Sequence, residues 1–323
     1  MMKTLCALAF SILLSGTVSI KAHAASSAAM VELGKKLYFD PRLSRTGTVS
    51  CNSCHNVMLG GEDNTQFSTG VEGKKGGRNA PTVWNSKFHS VQFWDGRAKS
   101  LEEQAKGPMI NPVEMGMPNH DAVIAKLKLI PGYVEEFKKV FGKSADALNI
   151  ENTVKAIAEY ERTLVTTNSP YDRYVKGNKS ALNASATRGM KLVQTIGCQT
   201  CHSGNNFAGP TLPEGVGFYQ KFPMIPGSQY DSKYDLLKDK GRYEVTKNDA
   251  DKNMFRVQTW RNIELTAPYF HNGSVATLPE AVRVMAKTQL GKDLSENEVS
   301  DIVEFLKSLT GEFPKQTMPR LPH

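Results

Sequence analysis

"CNSCH" at residues 51–55 is answered by "CQTCH" at residues 198–202, and apart from Cys6 these four cysteines are the chain's whole complement. In C-x-x-C-H the two thiols add to the vinyl groups of a haem and the adjacent histidine is placed to ligate its iron from one face. Cys51, Cys54 and His55 are expected to bind one c-type haem, and Cys198, Cys201 and His202 a second. A zinc ribbon also uses two C-x-x-C pairs, but the wide separation and the histidine after each pair argue against it. Two disulfides would be the ordinary use of four exported cysteines. The spacing speaks for haem instead.

Cys6 belongs to a leader. Lys3, an apolar run over residues 5–14 and the small-x-small signal Ala22-His23-Ala24 read as a secretory signal peptide over residues 1–24. The apolar run falls short of the roughly 20 residues a spanning helix needs. Lys3 and Lys21 leave with it, so the formal net charge falls from +8 to +6, 38 basic residues against 32 acidic. The mature chain is expected in the periplasm, with no membrane span. Its basic balance does not imply nucleic acid, because two haems bring four propionates and no aromatic-basic cluster occurs.

Helical periodicity precedes each haem motif, in VELGKKLYF (31–39) and ATRGMKLVQTIG (186–197); Gly34 and Leu37 match Gly189 and Leu192 in spacing, a weak internal repeat. ENTVKAIAEYERTLV (151–165) and SENEVSDIVEFLKSLTG (295–311) carry apolar residues at helical spacing. The second of these opens on a capping box, Ser295 to Glu298, and Ser100 to Glu103 offers another. Strand alternation is nearly absent. The expected class is all-α, two cytochrome c-like haem domains with irregular connecting loops, divided near the polar stretch 166–185 into residues 25–166 and 167–323. Residues 207–253, rich in Gly, Pro and Lys, are expected to wrap irregularly over the second haem.

The sixth position of each iron decides its chemistry: two strong ligands make an electron carrier, one ligand and an open face permit peroxide chemistry. Beyond His55 and His202 the mature chain holds His89, His120, His271 and His323. For the second haem Met285 is the best candidate, on a helix started by Thr277 and Pro279 whose Leu278, Val282 and Met285 share a face. For the first, Met58, Met109, Met115 and Met117 each lack comparable helical context. The glycine-lysine stretch STGVEGKKGGRNAP (68–81) could cradle a phosphate only with a strand before it and a helix after it. Neither flank is present.

NAPTVWNSKFHSVQFWDGRAKSLEEQAKGPMINPVEMGM (79–117), the two haem motifs and LTAPYFHNGSVATLPEAVRVM (265–285) together resemble the bacterial di-haem cytochrome c peroxidases, over essentially the whole mature chain. The resemblance implies reduction of hydrogen peroxide to water with electrons from a small periplasmic cytochrome c or cupredoxin, in a homodimer of two-domain chains with calcium between the domains. It implies Glu114 as the acid/base over the peroxidatic N-terminal haem, Gln104 as its polar neighbour and Trp94 as the tryptophan between the haems. Met285 matches the sixth ligand of the electron-transfer haem. Asn79, with the backbone carbonyls of Thr266 and Pro268, matches the calcium ligands. His271 matches a family histidine without an assigned role. Many relatives carry, eight residues before the asparagine of NAPT, a histidine that caps the peroxidatic iron in the oxidised resting state; here that position is Val71. The site is therefore expected to rest open or water-bound and to work without prior reduction, with a cap by His89 or a nearby methionine as the alternative. The competing functional readings are a di-haem electron-transfer cytochrome and a MauG-like enzyme that oxidises protein side chains.

Overall fold

The structure, a computed structural model, describes the backbone of residues 15–323 and the side chains from Ser27 onward. The leader expected over residues 1–24 lies outside the described residues as far as residue 14, and outside the described side chains beyond it.

The first half is built from α1 (Ser15–Phe39), the single turn α2 (Cys51–Cys54), α3 (Leu101–Ile110), α4 (His120–Lys128), α5 (Pro131–Phe141) and α6 (Ile150–Glu161). The second follows with α7 (Pro170–Val175), α8 (Ala184–Thr195), the short α9 (Gln229–Lys233) and α10 (Tyr243–Thr246), then α11 (Leu278–Leu290) and α12 (Glu296–Lys307). Among the described residues the only sheet is a ribbon of β1 (Tyr219–Lys221) antiparallel to β2 (Met254–Arg256), with Tyr219 opposite Arg256. Residues 207–253, read as irregular, thus carry β1, α9 and α10 between loops.

The weak repeat marks two equivalent helix crossings. A Cβ on Gly34 would collide with the Ala156 carbonyl, and one on Gly189 with the Asp301 carbonyl, so α1 meets α6 and α8 meets α12 backbone to backbone at a glycine. Around the first crossing Leu33, Leu37, Tyr38, Val154, Ile157 and Tyr160 form one buried core; around the second Val193, Val299, Ile302, Phe305 and Leu306 form another. Each large apolar side chain so buried contributes about 1.5–3 kcal/mol. Asp301 also accepts a two-pronged bond from Arg188, both contacts at 2.7 Å, which fixes the register of the second crossing.

Both partner helices end earlier than periodicity suggests. At α6 the Thr163 hydroxyl donates to the Tyr160 carbonyl at 2.6 Å, and at α12 the Ser308 hydroxyl donates to Phe305 at 2.6 Å. These local bonds compete with the helical ladder. The Ser295–Glu298 capping box is formed in full. At Ser100 half of it forms: the hydroxyl caps Glu103 N–H, but the Glu103 carboxylate takes the Lys99 N–H instead, at 2.6 Å. Beyond Glu312 the chain leaves the second core and lies on the first. Phe313 packs edge-on against Trp84, 4.8 Å between ring centres, and Pro322 O accepts from Arg42 at 2.8 Å.

Candidate active site

Each haem motif sits on one helical turn, which brings residues i and i+3 to one side. Cys51 to Cys54 form α2, closed by Ser50 and Ser53; Cys198 to Thr200 form a 3-10 turn entered through Gly197 at φ 106°. None of the four cysteines is paired in a disulfide, and burial pushes the Cys54 and Cys198 thiols up to about 11. Nδ1 of His55 lies 2.9 Å from Pro81 O, and Nδ1 of His202 lies 3.1 Å from Phe207 O. A carbonyl only accepts, so Nδ1 carries the proton in each ring and Nε2 keeps its lone pair for a metal. Burial holds both imidazoles neutral, His202 down to about 4. Trp260 stacks on His202 at 4.3 Å between ring centres.

Each motif opens onto a cavity, about 1960 Å³ of atom-free space at the first and about 1550 Å³ at the second, both partly open to solvent. Room, paired thiols and a pre-set imidazole fit a covalently attached haem in each.

The cavities differ in what faces the motif. Gln104, Glu114 and Met115 line the first. Glu114 is raised by burial, while Arg97 and the Asn111 amide, which donates to it at 2.6 Å, pull it back. The second is lined by Leu278, Val282 and Met285 of α11, the face expected from the sequence, and by no Asp or Glu. Residues 79–82 and Trp94 line both cavities and so form their common wall. Within it Trp94 Nε1 donates to Asn79 O at 2.8 Å, and Asn79 N donates to His271 O at 2.8 Å.

A family model described as "Di-haem cytochrome c peroxidase" matches residues 28–180. The chain is 46% identical over 303 residues to the cytochrome c551 peroxidase of Nitrosomonas europaea, covering 94% of this chain and 86% of that one. To the cytochrome c551 peroxidase of Pseudomonas aeruginosa it is 47% identical over 292 residues, 90% of this chain and 81% of that one. Among solved structures, a MauG-like protein associated with microbial copper homeostasis superposes with a TM-score of 0.76 at 26% identity, covering 88% of this chain and 90% of that one. The chain belongs to the di-haem cytochrome c peroxidase family. It is a haem-dependent oxidoreductase of the peroxidase type.

In this di-haem peroxidase the predicted calcium residues also converge: Asn79, Thr266 and Pro268 all line the second cavity. Asn79 Nδ2 donates to Thr65 O at 3.0 Å, which leaves Oδ1 for another partner. No cluster of three His, Cys, Asp or Glu suited to a metal occurs among the described residues, so a hard cation here depends on amide and carbonyl oxygens.

The loop at residues 68–81 is pinned rather than free. Val71 is fully buried in the first core, away from the cavity, and its N–H donates to Glu114 O at 2.8 Å. Ser68, Gly70 and residues 76–81 are the loop residues that line the cavity. A Cβ on Gly70 would collide with the Val113 and Glu114 carbonyls, so the loop lies directly on the backbone of Glu114. Of the alternative caps only Met115 reaches the cavity wall. His89 does not line it, Met58 is exposed, and Met109 and Met117 are packed in the first core.

Three residues of the peroxidase were missed from sequence. Arg256 lines the second cavity, Glu161 lines the first, and Trp260 orients His202. Glu161 and Trp260 sit inside ordinary apolar patterns and Arg256 in a short strand, so no local signal separates them from core or surface residues.

Proposed function

We propose that this peroxidase reduces hydrogen peroxide to water in the periplasm, with electrons from a small cytochrome c or cupredoxin, as a calcium-binding homodimer. The N-terminal unit, residues 25–166, carries the reaction, and the C-terminal unit, residues 167–323, receives electrons. The observation that carries this reading is the asymmetry of the cavities: the Glu114 carboxylate and the Gln104 amide line the first, whereas no Asp or Glu lines the second, where Met285 stands on the α11 face.

Bound haem supplies iron at which the O–O bond is broken. Glu114, desolvated and oriented by Asn111, takes the proton from the oxygen nearer the motif and returns it to the departing oxygen, a transfer a fixed carboxylate can perform in both directions. Gln104 orients the peroxide. Met285 and His202 are the residues that would hold a haem iron in the second cavity from both sides, and two such strong ligands would give it a raised potential suited to accepting electrons. Trp94, in the wall common to both cavities, spans the path between them. Asn79 Oδ1 with the carbonyls of Thr266 and Pro268 holds calcium in that wall. With Val71 in place of a ligating side chain, and buried away from the cavity, the peroxidatic site rests open or water-bound.

The test is oxidation of a reduced small cytochrome c by hydrogen peroxide in the presence of the holoprotein. Peroxide-dependent turnover is expected; electron exchange with the cytochrome but no peroxide consumption would instead make the protein a di-haem electron carrier.

A further inference from the structure

The second cavity holds an unmet positive charge. Arg256 is 5% exposed, and its guanidinium is the only charged side chain among the residues that line the cavity. Nε donates to Phe93 O at 3.1 Å and Nη2 to Gln258 Oε1 at 3.0 Å, but Nη1 is buried with no partner. Among the described residues no carboxylate pairs with it. Asp95, the carboxylate nearest in effect, already binds Arg78 and Arg97. His271, 1% exposed and lining the same cavity, likewise leaves Nε2 without a partner. Phe255, the neighbour of Arg256 in β2, stacks its ring on His271 at 4.3 Å between centres.

A buried guanidinium with a free N–H is costly unless an anion meets it, and its fork suits a carboxylate. The haem expected in this cavity carries such carboxylates. We propose that Arg256, with His271 as a second donor, clamps a propionate of the C-terminal haem and sets that haem's potential. This rests on the assignment of a haem to Cys198, Cys201 and His202.

The clamp is wired into the common wall. Arg256 N donates to Trp94 O at 2.8 Å, Nε holds Phe93 O, and His271 O accepts from Asn79 N, the residue whose own carbonyl holds Trp94 Nε1. The groups that grip the propionate therefore also fix the tryptophan between the cavities. A cation beside a haem favours the reduced form, which carries one more negative charge.

The test is a redox titration of the holoprotein, following the C-terminal haem optically, in Arg256→Gln, Arg256→Lys and His271→Gln. Arg256→Gln is expected to make that haem on the order of tenfold harder to reduce, Arg256→Lys to restore most of the loss, and the N-terminal haem to stay unchanged. His271→Gln shifts it less, in the same direction. An unchanged potential in Arg256→Gln with both haems attached overturns the clamp. If Arg256→Gln fails to retain the C-terminal haem, the propionate bending band in the resonance Raman spectrum of Arg256→Lys decides. A displaced band sustains the clamp, since lysine cannot fork, and an unmoved band sinks it. Loss of C-terminal haem from the wild-type protein itself would show that the haem assignment, not the clamp, is at fault.

Discussion

Val71 and Glu114 are joined backbone to backbone: the Val71 N–H donates to the Glu114 carbonyl at 2.8 Å, and the Val71 side chain is sealed in the first core. The loop that would carry a cap is thus used to hold the proposed acid/base. Stoichiometric hydrogen peroxide added to the fully oxidised holoprotein is expected to change its absorption spectrum at once. A spectrum that responds only after the second haem has been reduced would mean that another group, with Met115 the best placed, closes the site.

The same contact predicts what Val71→Ala does. It leaves a cavity behind the loop and costs about 1–3 kcal/mol of stability, read as a lower Tm. Because the backbone bond survives, peroxidase kcat is expected to change by less than the truncation of Glu114 changes it. A large kcat loss with Tm unaffected would show that Val71 faces the reaction and not the core.

Glu114→Gln removes the proton acceptor and keeps the shape. A loss of about 10²- to 10⁴-fold in kcat/KM is expected, with both haems attached and spectra of the oxidised protein close to wild type. Burial raises the Glu114 carboxyl. The base form is therefore lost as pH falls, and the acid limb of the pH–rate profile is expected above the range of a free glutamate. A Glu114→Gln enzyme at wild-type rate would transfer the proton's burden to another group on the cavity wall.

Glu161 is 6% exposed, its Oε2 has no partner, and burial with Glu102 nearby raises it to about 8. A carboxyl raised in the folded state binds its proton more tightly there than in the unfolded chain. Its stabilising contribution is full below the ordinary glutamate range and lost as pH rises to about 8. Glu161→Gln is expected to match the wild type near pH 5 and to exceed it by ~2–4 kcal/mol near pH 9, measured as Tm against pH. Parallel profiles for the two proteins would contradict this.

Gly34 and Gly189 show how much of the architecture the sequence carried. Their matched spacing was a faint repeat, yet each turns out to sit where two helix backbones touch, a contact no periodicity reports. The haem motifs, the face of α11 with Met285 and the capping of α12 were legible because they are local. Arg256 was not, since its meaning lies in what it lacks: it is 5% exposed and one guanidinium nitrogen has no partner, in a cavity assembled from distant segments. Gly34→Ala and Gly189→Ala are each expected to cost about 1–3 kcal/mol or more and to lower holoprotein yield. Neutral substitution at either would mean the helices separate without penalty.

Asn79 links the proposed cation site, the tryptophan and the histidine. Its carbonyl holds Trp94 Nε1, its N–H holds His271 O, and its amide nitrogen is taken by Thr65 O, so only Oδ1 is left to face a cation alongside Thr266 and Pro268. All the proposed protein ligands are neutral oxygens, a set that would suit calcium, which accepts flexible oxygen coordination, better than magnesium, which demands near-ideal octahedral geometry. Removing such a cation would leave Oδ1 of Asn79, in the common wall, and the Thr266 and Pro268 carbonyls without their shared charge. Chelation is therefore expected to slow electron passage between the cavities more than it affects either haem's attachment. Added calcium should restore the rate and equal magnesium should not. Asn79→Ala is expected to reproduce the chelated state without responding to calcium. If exhaustive chelation leaves both the inter-haem rate and the Tm untouched, the wall is held by its hydrogen bonds alone and the cation site is not part of the enzyme.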